Sequence, residues 1–267
     1  MNEILCKEAR LTLVVMLLML LAAGCARNPY FKVMNASEKL YVEAGDDSPV
    51  PYSVNVSMDY PMVKGDTTHV ATAIRYSIVD HMFGWEYDTL DAGTATKMFA
   101  QSLLDDFKSL SADMKTAGMY SDGSGTEQSE WYENLTGYFA GSWKHFSSYV
   151  VEYSGYSGGT RPDMFTNGLV FDLNSGAEVT LDDLFKPGFD EVMGDLIRLH
   201  AEECLPAGAM EVLFEPSIVP TGNFVLTGKS ITFIYNPYEI APYGLGILQI
   251  SVPLRECRKA GILAEGI

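Results

Sequence analysis

Gly155, Tyr156, Ser157, Gly158 and Gly159 satisfy G-x-S-x-G, the pattern in which an α/β-hydrolase presents a nucleophilic serine on a strained turn between a strand and a helix. Here Thr160, Arg161 and Pro162 follow, and then a strand-like stretch. The small residues therefore read as a turn needing positive φ, and Ser157 is not expected to be a nucleophile. Histidine is scarce: His69, His81, His145 and His200. None pairs with another at i, i+4 and no HExxH is present, so no metal site is expected. His200 falls on an apolar helix face and reads as a hydrogen-bonded core histidine, while His145 lies in an aromatic, strand-rich region. The adjacent acids Asp182–Asp183 and Glu202–Glu203 point in different directions, and Asp182 is expected to cap the Leu181–Phe185 turn. Glycosidase chemistry needs two acids across one cleft, which adjacency does not provide. With no P-loop, dinucleotide fingerprint, EF-hand or kinase signature, the sequence predicts no catalytic residue and no cofactor.

The four cysteines divide by position. Cys25 ends the run Leu21, Ala22, Ala23, Gly24, Cys25, after Lys7, Arg10 and an apolar stretch from Leu11 to Ala23 that is well short of the ~20 residues of a spanning helix. This pattern predicts a lipoprotein signal, residues 1–24, with lipidation of Cys25. Ala22 stands three places before the cysteine where the usual box has Leu, so an ordinary export signal is the alternative. Several acyl chains, each contributing ~0.8 kcal/mol per buried CH₂, would make attachment effectively permanent. The expected address is the cell envelope, on the periplasmic side of the outer membrane in a Gram-negative host. Cys204 and Cys257 could form a disulfide in an oxidising compartment, or stand as separate buried thiols.

Lys and Arg number 18 against 35 Asp and Glu, for a net charge of −17. Nucleic acid and anionic lipid surfaces would be repelled; a basic protein, a cation or plain solubility fits this balance. The mature chain is long enough to bury about 70–75% of its unfolded surface without disulfides.

The elements that position these residues follow from periodicity. Residues 25–48 read as a tether. Tyr52, Val54 and Val56 alternate with Ser53, Asn55 and Ser57, giving a half-buried strand. A second apolar run, Val70 to Val79, leads to an aromatic loop around Phe83, Trp85 and Tyr87. Phe99, Leu103, Phe107, Leu110 and Met114 predict an amphipathic helix over 95–116 with Thr94 as N-cap. Stretches 131–141 and 145–156, parted by Gly141 and Ser142, read as a hairpin. A strand at 166–173, a turn at Asn174–Gly176, a helix over 189–204 and strands at 223–227, 231–235 and 246–252 complete the chain. The fold class is α+β, with mostly antiparallel sheets, two main helices and two strand–helix subdomains, residues 49–145 and 146–267.

Three segments carry a resemblance: YSGGTRP at 156–162, FDLNSGAEVTLDDLF at 171–185 and NPYEIAPYGLG at 236–246. They resemble the extracytoplasmic domain family of the lysozyme-sensing anti-sigma factor RsiV and the peptidoglycan deacetylase PdaC, outside the latter's catalytic part. The likeness covers about residues 150–255 well and 50–150 only in the order of elements. The resemblance implies an α+β envelope domain, largely of unknown function, without catalytic machinery of its own. One departure is that Thr160 and Arg161 stand where the family usually has Ala and His; a guanidinium stays charged and cannot carry a proton.

Tyr156, Arg161, Tyr238, Glu239 and Tyr243 are thus candidate ligand-binding residues on neighbouring aromatic loops; alternatively Pro237 and Pro242 only bend an edge strand and the tyrosines only pack. The expected function is a lipid-anchored, non-catalytic envelope protein that binds a protein or cell-wall fragment. A basic protein such as lysozyme is the most concrete partner. The alternatives are an enzyme acting on cell-wall glycan and a structural component of envelope assembly.

Overall fold

Alternation of buried and exposed residues organises the protein around strands. The structure, a computed structural model, describes residues 34–44, 51–62, 69–117 and 130–267. The expected signal segment and Cys25 lie outside the described residues. Part of the expected tether is a strand, β1 (Met34–Glu43), in which half-buried Leu40 and Val42 alternate with exposed Lys39, Tyr41 and Glu43. It pairs antiparallel with β2 (Tyr52–Met62), whose Val54, Val56 and Met58 are fully buried as the period of two requires.

Two helices follow. The run from Val70 to Val79 lies in α1 (His69–Phe83), whose buried Ala71, Ile74, Ile78 and Met82 are spaced three and four apart. This is a third long helix beside the two expected. In α2 (Ala92–Thr116) the cap is Asp91, not Thr94: Asp91 Oδ1 accepts the Thr94 amide at 3.0 Å and Oδ2 its hydroxyl at 2.6 Å. Thr94 is three residues inside the cap and its partner. The buried face of α2 is also rotated from the expected one. Ala92, Ala95, Ala100, Leu104 and Phe107 are buried while Leu110 is 47% exposed, because small side chains let the helix lie close to β1 and β2.

After the helices, β3 (Trp131–Trp143), β4 (Phe146–Tyr156) and β5 (Asp163–Asp172) form an antiparallel meander. β3 lies parallel to β2, with Tyr52 beside Trp131, so the sheet order is β1-β2-β3-β4-β5. A parallel neighbour demands a crossover, which α1 and α2 supply. The β3–β4 turn is at Lys144 and His145, with Lys144 at φ 54°; Gly141 sits instead at a bulge between Phe139 and Gly141. The 145/146 boundary drawn from the sequence falls in this turn, and the five-stranded sheet runs through it.

The C-terminal part adds a short helix α3 (Leu181–Leu184), then α4 (Asp190–Cys204), a three-stranded antiparallel sheet of β6 (Phe224–Thr227), β7 (Ser230–Tyr235) and β8 (Leu248–Pro253), and α5 (Leu254–Lys259). α3 is N-capped by Thr180 in a capping box, the Asp183 carboxylate accepting the Thr180 amide at 2.8 Å and its hydroxyl at 2.7 Å; Asp182, the expected cap, is exposed. The protein is therefore α+β with two mostly antiparallel sheets.

β4 shows how the layers stack. Tyr149 points to α1, its hydroxyl 2.8 Å from the Asp59 carbonyl and 3.6 Å from Met82 Sδ. Its neighbours point the other way: Val150 packs with Val225 and Ile234 of the small sheet, and the buried Ser148 hydroxyl bonds both the amide and the carbonyl of Leu226 at 2.8 Å. The opposite face of the small sheet holds a large core, where Met193, Ile197 and Ala201 of α4 meet Leu226, Ile231, Phe233, Ile250 and Val252. Each such large apolar side chain contributes ~1.5–3 kcal/mol on burial.

Cys204 and Cys257 are not bridged. Both are free thiols, Cys204 exposed with Sγ 3.5 Å from the Ser251 amide, and Cys257 buried beside the Pro253 carbonyl. Burial raises the Cys257 thiol to about 11, so it stays a protonated small hydrophobe.

Candidate functional site

The site grows from the outer edge of β5. An edge strand leaves backbone groups unpaired, and here two asparagine amides fill that role. Asn236 Oδ1 accepts the Thr166 amide at 2.7 Å, and Asn223 Oδ1 accepts the Gly168 amide at 2.7 Å. Both side-chain amides also donate to the Thr166 carbonyl, at 3.2 and 2.8 Å. Gly168 allows this approach, since a Cβ there would lie 2.7 Å from the Phe224 carbonyl oxygen. The β7–β8 connection is thereby pinned beside β5 and beside the 157–162 loop that enters it.

That pinning brings together three of the five candidate residues. The Arg161 guanidinium lies 4.2 Å from the Tyr243 ring centre and 5.1 Å from that of Tyr238, and it donates to the Tyr238 hydroxyl. The two rings are 6.0 Å apart. Tyr243 is fixed by its own hydroxyl, which donates to the Pro162 carbonyl at 2.5 Å. Tyr238 is 53% exposed and stands at φ 71°, an uncommon region for a residue with a Cβ. Its amide donates to the Ala241 carbonyl at 3.1 Å, and buried Ala241 anchors the turn.

The other two candidates are separate from the stack. Tyr156 donates to the Gly159 carbonyl at 3.0 Å and its ring faces Tyr132 across the sheet, so it closes the loop internally. Glu239 is exposed on the loop, its amide bonded to the Asn236 carbonyl. Sequence reasoning missed Phe214, 51% exposed, whose amide donates to the Ile240 carbonyl at 2.9 Å and so joins it to the Tyr238 segment. It lies in an irregular stretch without periodicity, which left no signal to find it.

The remaining polar groups are structural in their contacts. β5 follows the Gly155–Gly159 run, with Gly158 at φ 94° and Gly159 at φ 102°, and among the described residues Ser157 bonds no histidine or carboxylate. His200 is half-buried, with Nε2 hydrogen-bonded to Glu256 at 2.8 Å, and joins α4 to α5; the expected hydrogen-bonded core histidine thus sits at a contact between two helices. His145 packs its ring 4.1 Å from that of Phe146. On the opposite sheet face, Glu133 is half-buried and leans with the Tyr153 hydroxyl over Gly155. Burial raises the Glu133 carboxyl above its usual range, the Tyr153 hydrogen bond opposes this, and Asp163 adds to it. Among the described residues no group of three or more His, Cys, Asp or Glu could hold a metal ion, and no helix is long and apolar enough to cross a membrane.

Residues 182–255 match a family model described as "Protein of unknown function (DUF3298)". No curated protein matches the chain. A crystal structure of a DUF3298 family member from Bacteroides fragilis superposes with a TM-score of 0.75 at 22% identity, covering 88% of this chain and 94% of that one. A second, from Pseudomonas aeruginosa, gives 0.59 at 14% identity over 88% and 96%. At such identities the likeness shows the fold alone, so what reaches this chain is an architecture shared over most of its length and a DUF3298 match in its C-terminal part.

Proposed function

We propose that this chain is a lipid-anchored, non-catalytic cell-envelope protein that binds a protein or a cell-wall-derived ligand through the Arg161–Tyr238–Tyr243 surface. The observation that carries it is the exposed cation stacked on two tyrosines at a pinned loop, since arginine and tyrosine at a fixed position are the residue types that dominate binding surfaces. Cys25, after its short apolar stretch, supports the anchor, and the resemblance to the RsiV and PdaC domain supports an envelope ligand. Lysozyme is the first partner to try, because opposite charges speed encounter. Calorimetric titration of the full chain with lysozyme at low and moderate salt tests it; heat at low salt that weakens with added salt is expected, and no heat at either excludes that partner. Changing Cys25 to Ser is expected to abolish acylation and release the protein from the membrane fraction. Continued acylation of that variant would remove the anchor from this reading.

One observation favours a second reading, an enzyme acting on cell-wall glycan. Glu133, with its raised carboxyl pKa, has Asp163 nearby and Phe165, 40% exposed, stacked 5.0 Å from Tyr153. An acid of raised pKa near a second acid is the arrangement of general acid catalysis. Muropeptide turnover by the wild type, lost in Glu133→Gln, would replace the binding reading; no turnover by the wild type would dismiss the enzyme.

A further inference from the structure

We infer that the Arg161 guanidinium is a receptor for a single carboxylate on an otherwise neutral or basic peptide, with the Tyr238 ring and Phe214 as apolar contacts; this rests on the binding surface proposed above and deepens it. Arg161 is exposed and, among the described residues, is in no ion pair, although acids outnumber bases by 35 to 18 in the chain. Its Cζ lies over the Tyr238 and Tyr243 rings, and one N–H donates to the Tyr238 hydroxyl. A guanidinium carries five N–H donors in a planar fork, so one bond to Tyr238 leaves donors for a carboxylate, and the two ring contacts hold the cation in place.

The supporting groups are occupied elsewhere and hold the cation in place. The Tyr243 hydroxyl is taken by the Pro162 carbonyl, and Tyr238 is held at φ 71° by its turn. Phe214 adds an exposed ring on a backbone segment bonded to Ile240. The net charge of −17 selects the ligand further. A polyanion is repelled as a whole, whereas one carboxylate on a neutral or basic peptide is not. The C-terminal carboxylate of a protein or of a free peptide presents that chemistry.

Two arms distinguish these sources. In the first, the full chain in detergent micelles is titrated with a short, otherwise neutral peptide bearing a free C-terminal carboxylate and with the same peptide amidated. In the second, p-benzoylphenylalanine at position 214 captures a protein neighbour in the native envelope. Each arm is repeated with Arg161→Gln and Arg161→Lys, whose folding is checked by circular dichroism. Removing a charge-assisted pair is expected to weaken engagement roughly ten- to a hundredfold in Arg161→Gln. Arg161→Lys, which keeps the charge without the fork, should recover only part of it. Binding of the free but not the amidated peptide assigns the carboxylate of a free peptide, an Arg161-dependent protein adduct assigns a protein as its bearer, and equal binding of the free and amidated peptides overturns this inference. Engagement unchanged in Arg161→Gln overturns this inference while leaving the binding surface standing; no engagement by the wild type in either arm overturns both.

Discussion

Glu178 accepts a hydrogen bond from His81, Oε1 to Nε2 at 3.0 Å, and so ties α1 to the turn that follows β5. Asn167 of β5 lies 3.3 Å from the other ring nitrogen, and Ser77 also donates to Glu178. The bond to Glu178 raises the His81 pKa against the opposing effect of burial, with the Glu178 and Asp80 charges adding to the rise; the same bond lowers that of Glu178. The histidine contribution is complete below its unfolded value, about 6.5, and is lost as pH rises through the raised folded value. The carboxylate contribution is present above its unfolded value, about 4.3, and is lost as pH falls through the lowered folded value. The stability gap between wild type and His81→Gln should therefore be widest near pH 5–6 and narrow by pH 8.5. Thermal melts at these pH values measure it. Both groups are partly exposed, so the gap should stay under ~1 kcal/mol, and a gap independent of pH would contradict the assignment.

Ser148→Ala removes a hydroxyl bonded to both backbone groups of Leu226. Two buried backbone groups then lose a partner, at a cost of about 2–4 kcal/mol. Urea unfolding should show a lower midpoint with an unchanged slope, whereas a midpoint equal to that of wild type would mean the groups find other partners.

Gly168→Ala tests the seam between the sheets. The added methyl would meet the Phe224 carbonyl oxygen at 2.7 Å and its carbon at 2.9 Å, both backbone atoms that cannot rotate away. A loss of about 1–3 kcal/mol is expected on chemical denaturation. If the variant were as stable as wild type, β6 would lie farther from β5.

Tyr238→Gly separates folding from recognition. Glycine adopts φ 71° freely, so the variant should remain within about 1 kcal/mol of wild type in stability. It loses the ring beside Arg161, and ligand engagement should fall with it. Strong destabilisation would show that the ring is a packing element.

Sequence patterning revealed much of this architecture and less of its assembly. The alternation in β2 and β8 was legible because each has one buried face, while β6 and β7, buried on both faces, were legible as short apolar runs. α1 carried a signal too, Ala71, Ile74, Ile78 and Met82, but its β-branched residues obscured the helical period. Both capping assignments missed the N-cap, taking Thr94 for Asp91 and Asp182 for Thr180, since capping depends on where the first turn begins. Arg161, Tyr238 and Tyr243 were found as types in separate segments. Their meeting depends on Asn223 and Asn236 gripping β5, a contact between distant stretches that no local pattern encodes.

The parallel contact of β2 with β3 has a kinetic consequence. The β3–β4–β5 meander closes through short turns, but Tyr52 reaches Trp131 only after the whole α1–α2 crossover has collapsed. Loop-closure entropy opposes that step, and contacts distant in sequence form slowly. The strands synthesised first are thus the last to be locked, and until then β3 presents a bare edge.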